Sequence, residues 1–304
     1  MKDVIVIGAG PAGMTAAMYA ARAQLSVMMI EQGAPGGMMN NTDSIENYPG
    51  FLDIKGMELG EKMYENTKRD GVEHVYGIVT DVEDRGSVKV VKTEDNEYQA
   101  QVVIIATGGV HRFLNVPGEE EYSGRGVSYC AVCDGMFFRN RDIVIVGGGD
   151  SAIEEGTYLT QIANSVTVVH RRHELRAKKN LQEIAFQNEK MNFVWDSVVD
   201  EIMGDGQKVT GVRIHNVKTN EEKTIPTDGV FIYIGMEPNT KAFRHLNICD
   251  EQGWIPTNER METAVDGIYA VGDVRDKHLR QVTTAVGDGT IAGQEAFNKI
   301  KAIH

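Results

Sequence analysis

Two cysteines three positions apart are the residues of this chain best suited to chemistry. Cys130 and Cys133 enclose two residues and are followed at once by Asp134 and Gly135. Thiols at this spacing form a reversible disulfide, in which one thiolate attacks a partner's disulfide and the other resolves the mixed species. A carboxyl group beside them can move the protons of this exchange if burial raises its pKa. The loop therefore predicts thiol–disulfide exchange by Cys130 and Cys133 with Asp134 as acid–base group, an ordinary Asp-Gly turn being the alternative for Asp134.

A glycine-rich loop near the N-terminus has the pattern of a dinucleotide-binding site. Residues 8–13 follow the apolar run 4–7 and precede the helix-like segment 14–21. In such a loop the first glycine allows a tight turn, the second lets the backbone approach a pyrophosphate, and the third lets helix and strand pack closely. Glu31, which ends the next apolar run, can accept hydrogen bonds from ribose hydroxyl groups and repels a 2′-phosphate. The pattern predicts a site for the adenosine end of FAD or NAD, and the alternative is a glycine-rich turn without a ligand.

The same order of elements recurs around a second loop, residues 147–152, but here the ribose-recognition position is basic. The apolar run 143–146 precedes this loop, and the run 166–169 ends just before His170, Arg171 and Arg172. Guanidinium groups bind phosphate through charge-assisted hydrogen bonds, each contributing about 1.5–3 kcal/mol. NADPH is therefore the predicted electron donor. The residues predicted to bind it are Gly147, Gly149, Asp150, Ser151, Ala152, His170, Arg171, Arg172 and Arg176.

Two other interpretations of the basic segment remain open. One is a solvated basic face that continues into residues 178–179. The other is a zinc site, because Cys130 and Cys133 have CxxC spacing and His170 and His173 have HxxH spacing. No second cysteine pair supports zinc, and the end of a strand already explains the position of His170. We favour the phosphate site and predict no metal.

Length and composition limit the possible classes of protein. The chain has 304 residues, of which 41% are apolar and 25% charged, as expected for a globular protein of two domains. Its formal net charge of −13 argues against a nucleic-acid partner or an anionic membrane surface. No apolar run reaches the roughly 20 residues of a membrane helix, and residues 1–21 do not resemble a signal peptide. With only three cysteines, of which Cys249 is expected to be incidental, we expect a cytoplasmic enzyme.

The order of elements predicts an α/β fold with two Rossmann-like dinucleotide-binding domains. Two strand–glycine–helix–strand units are present, and residues 267–274 form a third strand that ends at a glycine and a carboxylate. That ending suits the site begun at the N-terminus, so we infer that the second domain is inserted into the first. The predicted domains are residues 1–115 with 244–304, and residues 116–243, with crossings near 115–118 and 238–244.

The motifs at residues 8–13, 130–135, 147–152, 170–176 and 267–281 together closely resemble those of the low-molecular-weight bacterial thioredoxin reductases. The resemblance covers essentially the whole chain. It is specific, because the redox loop lies just before the second fingerprint, whereas in the glutathione reductase type the redox cysteines follow the first. The resemblance implies a homodimeric flavoprotein with an NADPH domain inserted into an FAD domain. Electrons would pass from NADPH through FAD and the Cys130–Cys133 disulfide to thioredoxin.

The resemblance also implies roles for individual residues. Cys133 would face the flavin, Cys130 would attack the disulfide of thioredoxin, and Asp134 would be the acid–base group. At Met38 the family commonly has glutamine, and a thioether sulfur cannot replace the donors of an amide, which puts one polar contact to the flavin in question. The residues implied for FAD are Gly8, Gly10, Pro11, Ala12, Gly13, Glu31, Gly36, Gly37, Met38, Asn47, Gly272, Asp273, Arg280, Gln281 and Val282.

Two alternatives to this activity stay open because a fold does not fix a function. The first is an NADPH or dithiol oxidase, or a reductase of another protein disulfide, on the same scaffold. The second, from a different class, is a redox-sensing flavoprotein that binds a regulator. The basic cluster and the Cys-Asp grouping favour the reductase over both.

Overall fold

The structure, a computed structural model, describes residues 1–42 and 44–303. The chain forms two compact units. Unit 1 comprises Met1–Val110 with Glu237–His304, and unit 2, His111–Met236, is inserted into it. The predicted α/β architecture with one unit inserted in the other is confirmed.

The described residues form the following elements. The strands in chain order are β1 (Lys2–Ile7), β2 (Val27–Glu31), β3 (Glu73–Tyr76), β4 (Val79–Arg85), β5 (Val88–Thr93), β6 (Glu97–Ile105), β7 (Gly109–His111), β8 (Val127–Ser128), β9 (Asp142–Gly147), β10 (Ser165–Val169), β11 (Met191–Val194), β12 (Ser197–Gly204), β13 (Val209–Asn216), β14 (Glu222–Pro226), β15 (Gly229–Tyr233), β16 (Met236–Pro238) and β17 (Ile268–Ala270). The α-helices are α1 (Pro11–Arg22), α2 (Gly56–Arg69), α3 (Ala131–Asp134), α4 (Asp150–Leu159), α5 (Lys179–Phe186) and α6 (Val282–Ile303). Short 3₁₀ helices cover Gly37–Asn41, Gly135–Phe138, Lys241–Leu246 and Gly272–Val274.

The central sheet of unit 1 has the strand order β3-β2-β1-β6-β5-β4, and β17 also pairs with β6. Strands β1, β2, β3, β6 and β17 run parallel, whereas β4 and β5 add an antiparallel hairpin at one edge. Parallel strands align their carboxyl ends at one edge of the sheet, which is where ligands of such folds bind. The glycine loop after β1 and the Gly272–Val274 turn after β17 therefore share that edge.

Unit 2 repeats this plan with the all-parallel order β11-β10-β9-β15-β8. Strand β9, which leads into the second glycine loop, occupies the central position that β1 has in unit 1. Strands β12, β13 and β14 form a separate antiparallel sheet. The loop with the two cysteines follows β8, the edge strand beside β15, so it too lies at the carboxyl ends of the parallel strands.

The uninterrupted apolar runs are explained by burial on both faces of each central strand. In β1, Val4 and Val6 belong to the core cluster that contains alanines of α1 and α6, and Ile5 belongs to the cluster on the other face. In β9, Ile145 and Val146 are divided between two clusters in the same way. Alternate residues of a strand point to opposite faces, so both faces require apolar side chains.

The crossings between units lie a few residues before the predicted ones. Val110 ends the first part of unit 1 and Glu237 begins the second, whereas the predictions were residues 115 and 244. Leu114 packs against the core of unit 2, and Phe243, 1% exposed, lies in the core of unit 1. Proline and glycine indicate turns, but they do not tell which core the neighbouring apolar residues join.

None of the helices formed by residues 1–42 and 44–303 combines the length and the apolar character that a membrane span requires.

Candidate active site

The two cysteines of the redox loop form a disulfide. Cys130 and Cys133 are joined across a single turn of helix α3, with their Cα atoms 5.3 Å apart. The Cys130 sulfur accepts the Cys133 backbone N–H at 3.2 Å, and both residues are half-buried. The disulfide thus lies at the first turn of a short helix, at the carboxyl ends of the parallel strands, and is not fully buried.

Asp134 lies at the end of the same turn in a largely enclosed position. Its Oδ2 accepts a hydrogen bond from the Ser128 hydroxyl group at 2.5 Å. Burial raises the pKa of the Asp134 carboxyl group, and the Ser128 hydrogen bond opposes that rise. Acid–base work at this position requires a raised pKa, and burial of the carboxyl group is its cause.

A tyrosine that the sequence analysis did not select supports the redox loop from the neighbouring strand. The Tyr233 hydroxyl oxygen, at the end of β15, accepts the Ala131 backbone N–H at 2.7 Å. Burial, followed by the negative charge of Glu155, raises the pKa of Tyr233 far above its usual range, so its hydroxyl group stays protonated. Ala131 itself is fully buried, which fixes the start of helix α3.

The first glycine loop has the geometry that its sequence predicts. A Cβ atom on Gly8 would lie 2.5 Å from the Ala106 carbonyl oxygen, and one on Gly13 would lie 1.9 Å from the Gly8 carbonyl oxygen. These two positions therefore need glycine for close packing. Gly10, in contrast, has no atom within 4 Å of its Cβ position, so its backbone faces open space. Pro11, next in the chain, begins α1, whose amide groups point toward that space.

Glu31 ends β2 beside this loop. Its Oε2 accepts the Ala9 N–H at 2.7 Å and its Oε1 accepts the Gly33 N–H at 2.9 Å. Each carboxylate oxygen keeps a further lone pair for another donor. The carboxylate is thus held in place at the edge of the open space, where ribose hydroxyl groups are expected.

Two further predicted segments come close to the loop. Gly36 donates its N–H to the Ala9 carbonyl at 2.8 Å, and the Cβ position of Gly37 lies 3.3 Å from the Gly10 Cα. Met38 follows with 42% of its surface exposed. The Asn47 amide donates to the Gln281 Oε1 at 3.0 Å, which joins two predicted residues 234 positions apart.

The Gly272–Val274 turn brings Asp273 to the same edge. A Cβ atom on Gly272, whose φ is +74°, would lie 2.8 Å from the Ala12 Cβ, so the turn packs against the first turn of α1. The Asp273 Oδ1 is buried and has no hydrogen-bond partner among the described residues. Burial raises the pKa of this carboxyl group. A buried acceptor without a partner fits a ligand that carries hydroxyl groups.

The segment between this turn and α6 is held by Arg280. Its Nη2 donates to the Arg275 carbonyl at 3.0 Å, and its guanidinium carbon lies 3.9 Å from the centre of the Trp254 ring. The predicted Val282 is the first residue of α6. The structure therefore assembles the residues predicted for FAD along one edge of unit 1.

A buried ion network behind this edge was not predicted. Asp288 on α6 pairs with the Arg275 Nη1 and the Lys277 Nζ, both at 2.8 Å, and also accepts the Gly272 N–H at 3.0 Å. The carboxylate is only 8% exposed, and it ties the helix to the turn that carries Asp273. No local signal marks Asp288, because its partners lie more than ten positions away in the chain.

The second glycine loop, in unit 2, follows the same rules. A Cβ atom on Gly147 would lie 2.4 Å from the Tyr233 carbonyl oxygen, whereas the Cβ position of Gly149 has no atom within 4 Å. Asp150 begins α4, and its Oδ1 accepts the Lys178 N–H at 2.8 Å. The predicted Ser151 is exposed and Ala152 is fully buried.

The predicted basic cluster surrounds the end of β10, the strand beside this loop. Arg176 donates its N–H to the Gly148 carbonyl at 2.7 Å, which folds the cluster back onto the loop. His170 is 7% exposed and its Nε2 has no hydrogen-bond partner among the described residues. Burial, followed by the charges of Arg172, Arg171 and Arg176, lowers the pKa of His170. All three arginines are exposed, and a guanidinium group can bind phosphate through charge-assisted hydrogen bonds.

The four residues of the zinc interpretation do not form a set of metal ligands. That interpretation needs Cys130 and Cys133 as separate thiolates, and the structure joins them. Residues 1–42 and 44–303 contain no group of three or more His, Cys, Asp or Glu side chains placed to hold a metal ion. His173 instead pairs with Asp196, with 3.1 Å between its Nδ1 and the carboxylate.

Comparisons with known proteins agree with this geometry. Residues 2–289 match the family described as pyridine nucleotide-disulphide oxidoreductase. The thioredoxin reductase of Listeria monocytogenes is 56% identical over 99% of this chain and 94% of its own length. That of Bacillus subtilis is 55% identical over 99% of this chain and 95% of its own. The crystal structure of thioredoxin reductase from Streptococcus pyogenes superposes with a TM-score of 0.96 at 59% identity, covering 99% of both chains.

Proposed function

Because the chain belongs to the thioredoxin reductases of the pyridine nucleotide-disulphide oxidoreductase family, we propose that it passes electrons from NADPH through FAD and the Cys130–Cys133 disulfide to thioredoxin. The observation that carries this proposal is the disulfide itself, with a buried carboxyl group one residue away. The same unit also has a glycine loop and three exposed arginines after β10, which suit a phosphorylated nicotinamide cofactor.

We assign the edge of unit 1 to FAD. The open space at Gly10 suits a pyrophosphate, the fixed carboxylate of Glu31 suits a ribose, and the unpartnered Oδ1 of Asp273 suits a hydroxyl of the ribityl chain. When bound, FAD supplies two-electron chemistry that connects a hydride donor with a disulfide. Met38 offers no amide, so polar contacts to the flavin must come from other residues, among which the amides of Asn47 and Gln281, joined to each other, are suited.

We assign the edge of unit 2 to NADPH. The open space at Gly149 suits the pyrophosphate, and Arg171, Arg172 and Arg176 suit the 2′-phosphate. His170, whose pKa is lowered, stays neutral near pH 7 and keeps one ring nitrogen available to the ligand. The ribose position is acidic in unit 1, at Glu31, and basic in unit 2, at the arginines. This difference in charge lets each site select its own cofactor.

The dithiol that results from reduction then exchanges with thioredoxin. We propose that the Cys130 thiolate attacks a sulfur of the thioredoxin disulfide, forming a mixed disulfide, while the departing thiolate takes a proton from the Asp134 carboxyl group. The Asp134 carboxylate next takes the proton of the Cys133 thiol. The Cys133 thiolate attacks the Cys130 sulfur, the mixed disulfide breaks, and the second thioredoxin thiolate takes the proton back from Asp134. Two electrons and two protons have then moved to thioredoxin, and Cys130–Cys133 is a disulfide again.

We further propose that the protein acts as a homodimer in the cytoplasm, as the family resemblance implies. The net charge of −13 supports a partner that is neither a nucleic acid nor an anionic membrane. Three cysteines, of which Cys249 is a half-buried free thiol, support a reducing compartment.

The test of the proposed function is NADPH oxidation by the purified flavoprotein without oxygen. We expect rapid oxidation only when oxidised thioredoxin is present, because the disulfide of thioredoxin is then the sole electron acceptor. Bleaching of the flavin by NADPH without thioredoxin-dependent turnover would contradict the proposal and would favour an oxidase or a reductase of another disulfide.

The ion network behind the FAD edge gives a prediction about cofactor retention. Asp288→Asn keeps the shape of the side chain but removes its negative charge. That charge balances Arg275 and Lys277, and the same carboxylate accepts the Gly272 N–H. Breaking a buried ion pair from one side costs about 3–5 kcal/mol. We expect the dissociation constant of FAD to rise roughly tenfold or more, measured by flavin fluorescence during titration of the apoprotein.

The matched control for this prediction is Asp266→Asn. Like Asp288, Asp266 pairs with a lysine, in this case Lys299 of α6. The Asp266 side chain is 84% exposed, so loss of its charge changes the free energy of unfolding by less than about 1 kcal/mol. Equal FAD affinity in the Asp288 variant and in this control would contradict the role of Asp288.

A further inference from the structure

The hydroxyl group of Ser128 occupies a position between the redox disulfide and its acid–base group. Ser128 is 4% exposed at the end of β8, two residues before Cys130. Its oxygen accepts the Cys130 backbone N–H at 3.1 Å, and its hydroxyl group donates to the Asp134 Oδ2, with 2.5 Å between the two oxygens. One buried side chain thus contacts both ends of the helical turn that carries the chemistry.

A second acceptor for the same hydroxyl hydrogen lies nearby. The Cys130 carbonyl oxygen is 3.4 Å from the Ser128 oxygen. When Asp134 is ionised, the Ser128 hydroxyl donates to the carboxylate. When Asp134 carries its proton, the carboxyl group donates to the Ser128 oxygen and the Ser128 hydrogen turns to the Cys130 carbonyl. A hydroxyl group can donate once and accept twice, so no polar atom of the pair loses its partner in either state.

We propose that Ser128 is a positioning residue for the exchange reaction, holding the Asp134 carboxyl group in place and giving it a hydrogen-bond partner in both its ionised and its protonated form. This inference rests on the proposed function for its role in turnover. The hydrogen bonding itself does not depend on thioredoxin, so it can be tested separately.

The consequence concerns the protonation of Asp134. A hydrogen bond to a charged group is stronger than one between neutral groups. Removing the hydroxyl therefore harms the carboxylate more than the carboxylic acid, and the pKa of Asp134, already raised by burial, rises further. We expect an upward shift of about one unit.

The other titratable groups on this side are Tyr233 on β15 and Glu155 on α4. Tyr233 stays protonated, because burial and then the charge of Glu155 raise its pKa. Burial raises the pKa of Glu155 as it raises that of Asp134. A measurement must therefore separate Asp134 from Glu155.

The experiment is an infrared pH titration of the oxidised, FAD-loaded full chain, following the carbonyl band of protonated carboxyl groups. Subtracting the spectrum of Asp134→Asn isolates the band of Asp134 and removes that of Glu155. In Ser128→Ala the midpoint should rise by about one unit relative to the unsubstituted chain. The matched control is Ser165→Ala, which removes a similar serine–aspartate hydrogen bond, to Asp142 at 2.6 Å, at the exposed start of β10.

An unchanged Asp134 midpoint in Ser128→Ala, or an equal shift in Ser165→Ala, would overturn the proposal. If Ser128→Ala does not fold, Ser128→Gly removes the same hydroxyl and must give the same upward shift. In turnover, loss of the Asp134 proton slows exchange as pH rises, so the alkaline limb of thioredoxin reduction should move to higher pH in Ser128→Ala. A shifted infrared midpoint in a chain that does not reduce thioredoxin would support the role of Ser128 and contradict the proposed function.

Discussion

Cys133→Ser will abolish the reduction of thioredoxin while NADPH still reduces the flavin. The substitution removes one sulfur of the Cys130–Cys133 disulfide and leaves the glycine loops and the basic cluster of unit 2 intact. Without a resolving thiol no intramolecular disulfide can form, so electrons cannot leave through a dithiol. We expect a loss on the order of 10³-fold or more in thioredoxin turnover, the scale seen when a covalent nucleophile is removed. Anaerobic stopped-flow absorbance separates flavin reduction from thioredoxin reduction.

The third cysteine provides the matched control. Cys249→Ser changes a half-buried thiol of unit 1 whose pKa burial raises, which makes it a poor nucleophile. Its thioredoxin turnover should equal that of the unsubstituted chain. Thioredoxin reduction that persists in Cys133→Ser would refute the dithiol route, whereas a large loss in Cys249→Ser would assign a function to a residue that we regard as structural.

Local sequence was sufficient to predict the central strands and both glycine loops. In β1 and β9 every residue facing a core is apolar, and the glycines sit where close packing or open space requires them. These features depend on neighbours in the chain, namely a strand, a turn and a helix. The proximity in sequence of Asp134 to Cys133 is visible for the same reason, and the acid–base role of Asp134 stays a prediction.

Contacts between distant segments were not predictable. Tyr233 reaches Ala131 across 102 positions, and Asp288 on α6 accepts the Gly272 N–H across 16 positions. Each contact depends on how strands and helices pack together, and a single sequence does not encode this as a local pattern. Ser128 lies closer, yet a serine two residues before a cysteine is indistinguishable from an ordinary strand residue until Asp134 is seen to fold back onto it.

The crossing near residues 115–118 shows a further limit. Its Pro117 and Gly118 predict a linker, but the structure binds this segment tightly within unit 2. The buried Glu119 carboxylate accepts the N–H groups of Leu114 and Asn115 at 2.9 and 2.7 Å. A glutamate in a polar stretch of sequence is expected to be exposed. The sequence therefore did not indicate that this segment belongs to unit 2, and the predicted boundary at residue 115 lies after the observed one at Val110.

Replacing Arg171 and Arg172 together with alanine will weaken the preference of the enzyme for NADPH over NADH. Both side chains are exposed just after the end of β10. The same segment is tied to the second glycine loop by the hydrogen bond from the Arg176 backbone N–H to the Gly148 carbonyl. The 2′-phosphate is the group that distinguishes the two cofactors, and each charge-assisted contact to it contributes about 1.5–3 kcal/mol. We expect the ratio of kcat/KM for NADPH to that for NADH to fall roughly 10²-fold or more, mainly through the KM for NADPH.

A charge-matched control distinguishes a specific site from a general basic surface. Lys208→Ala with Lys223→Ala removes two exposed positive charges of unit 2 near β13 and on β14, away from the glycine loop. Long-range attraction of a phosphorylated cofactor would weaken equally in both double variants and would vanish at high salt. A local phosphate site predicts a selectivity change only for Arg171 and Arg172, persisting in salt because direct contacts are screened less. Equal effects on NADPH and NADH would instead identify the two arginines as a solvated face, and the 2′-phosphate would then need a different site.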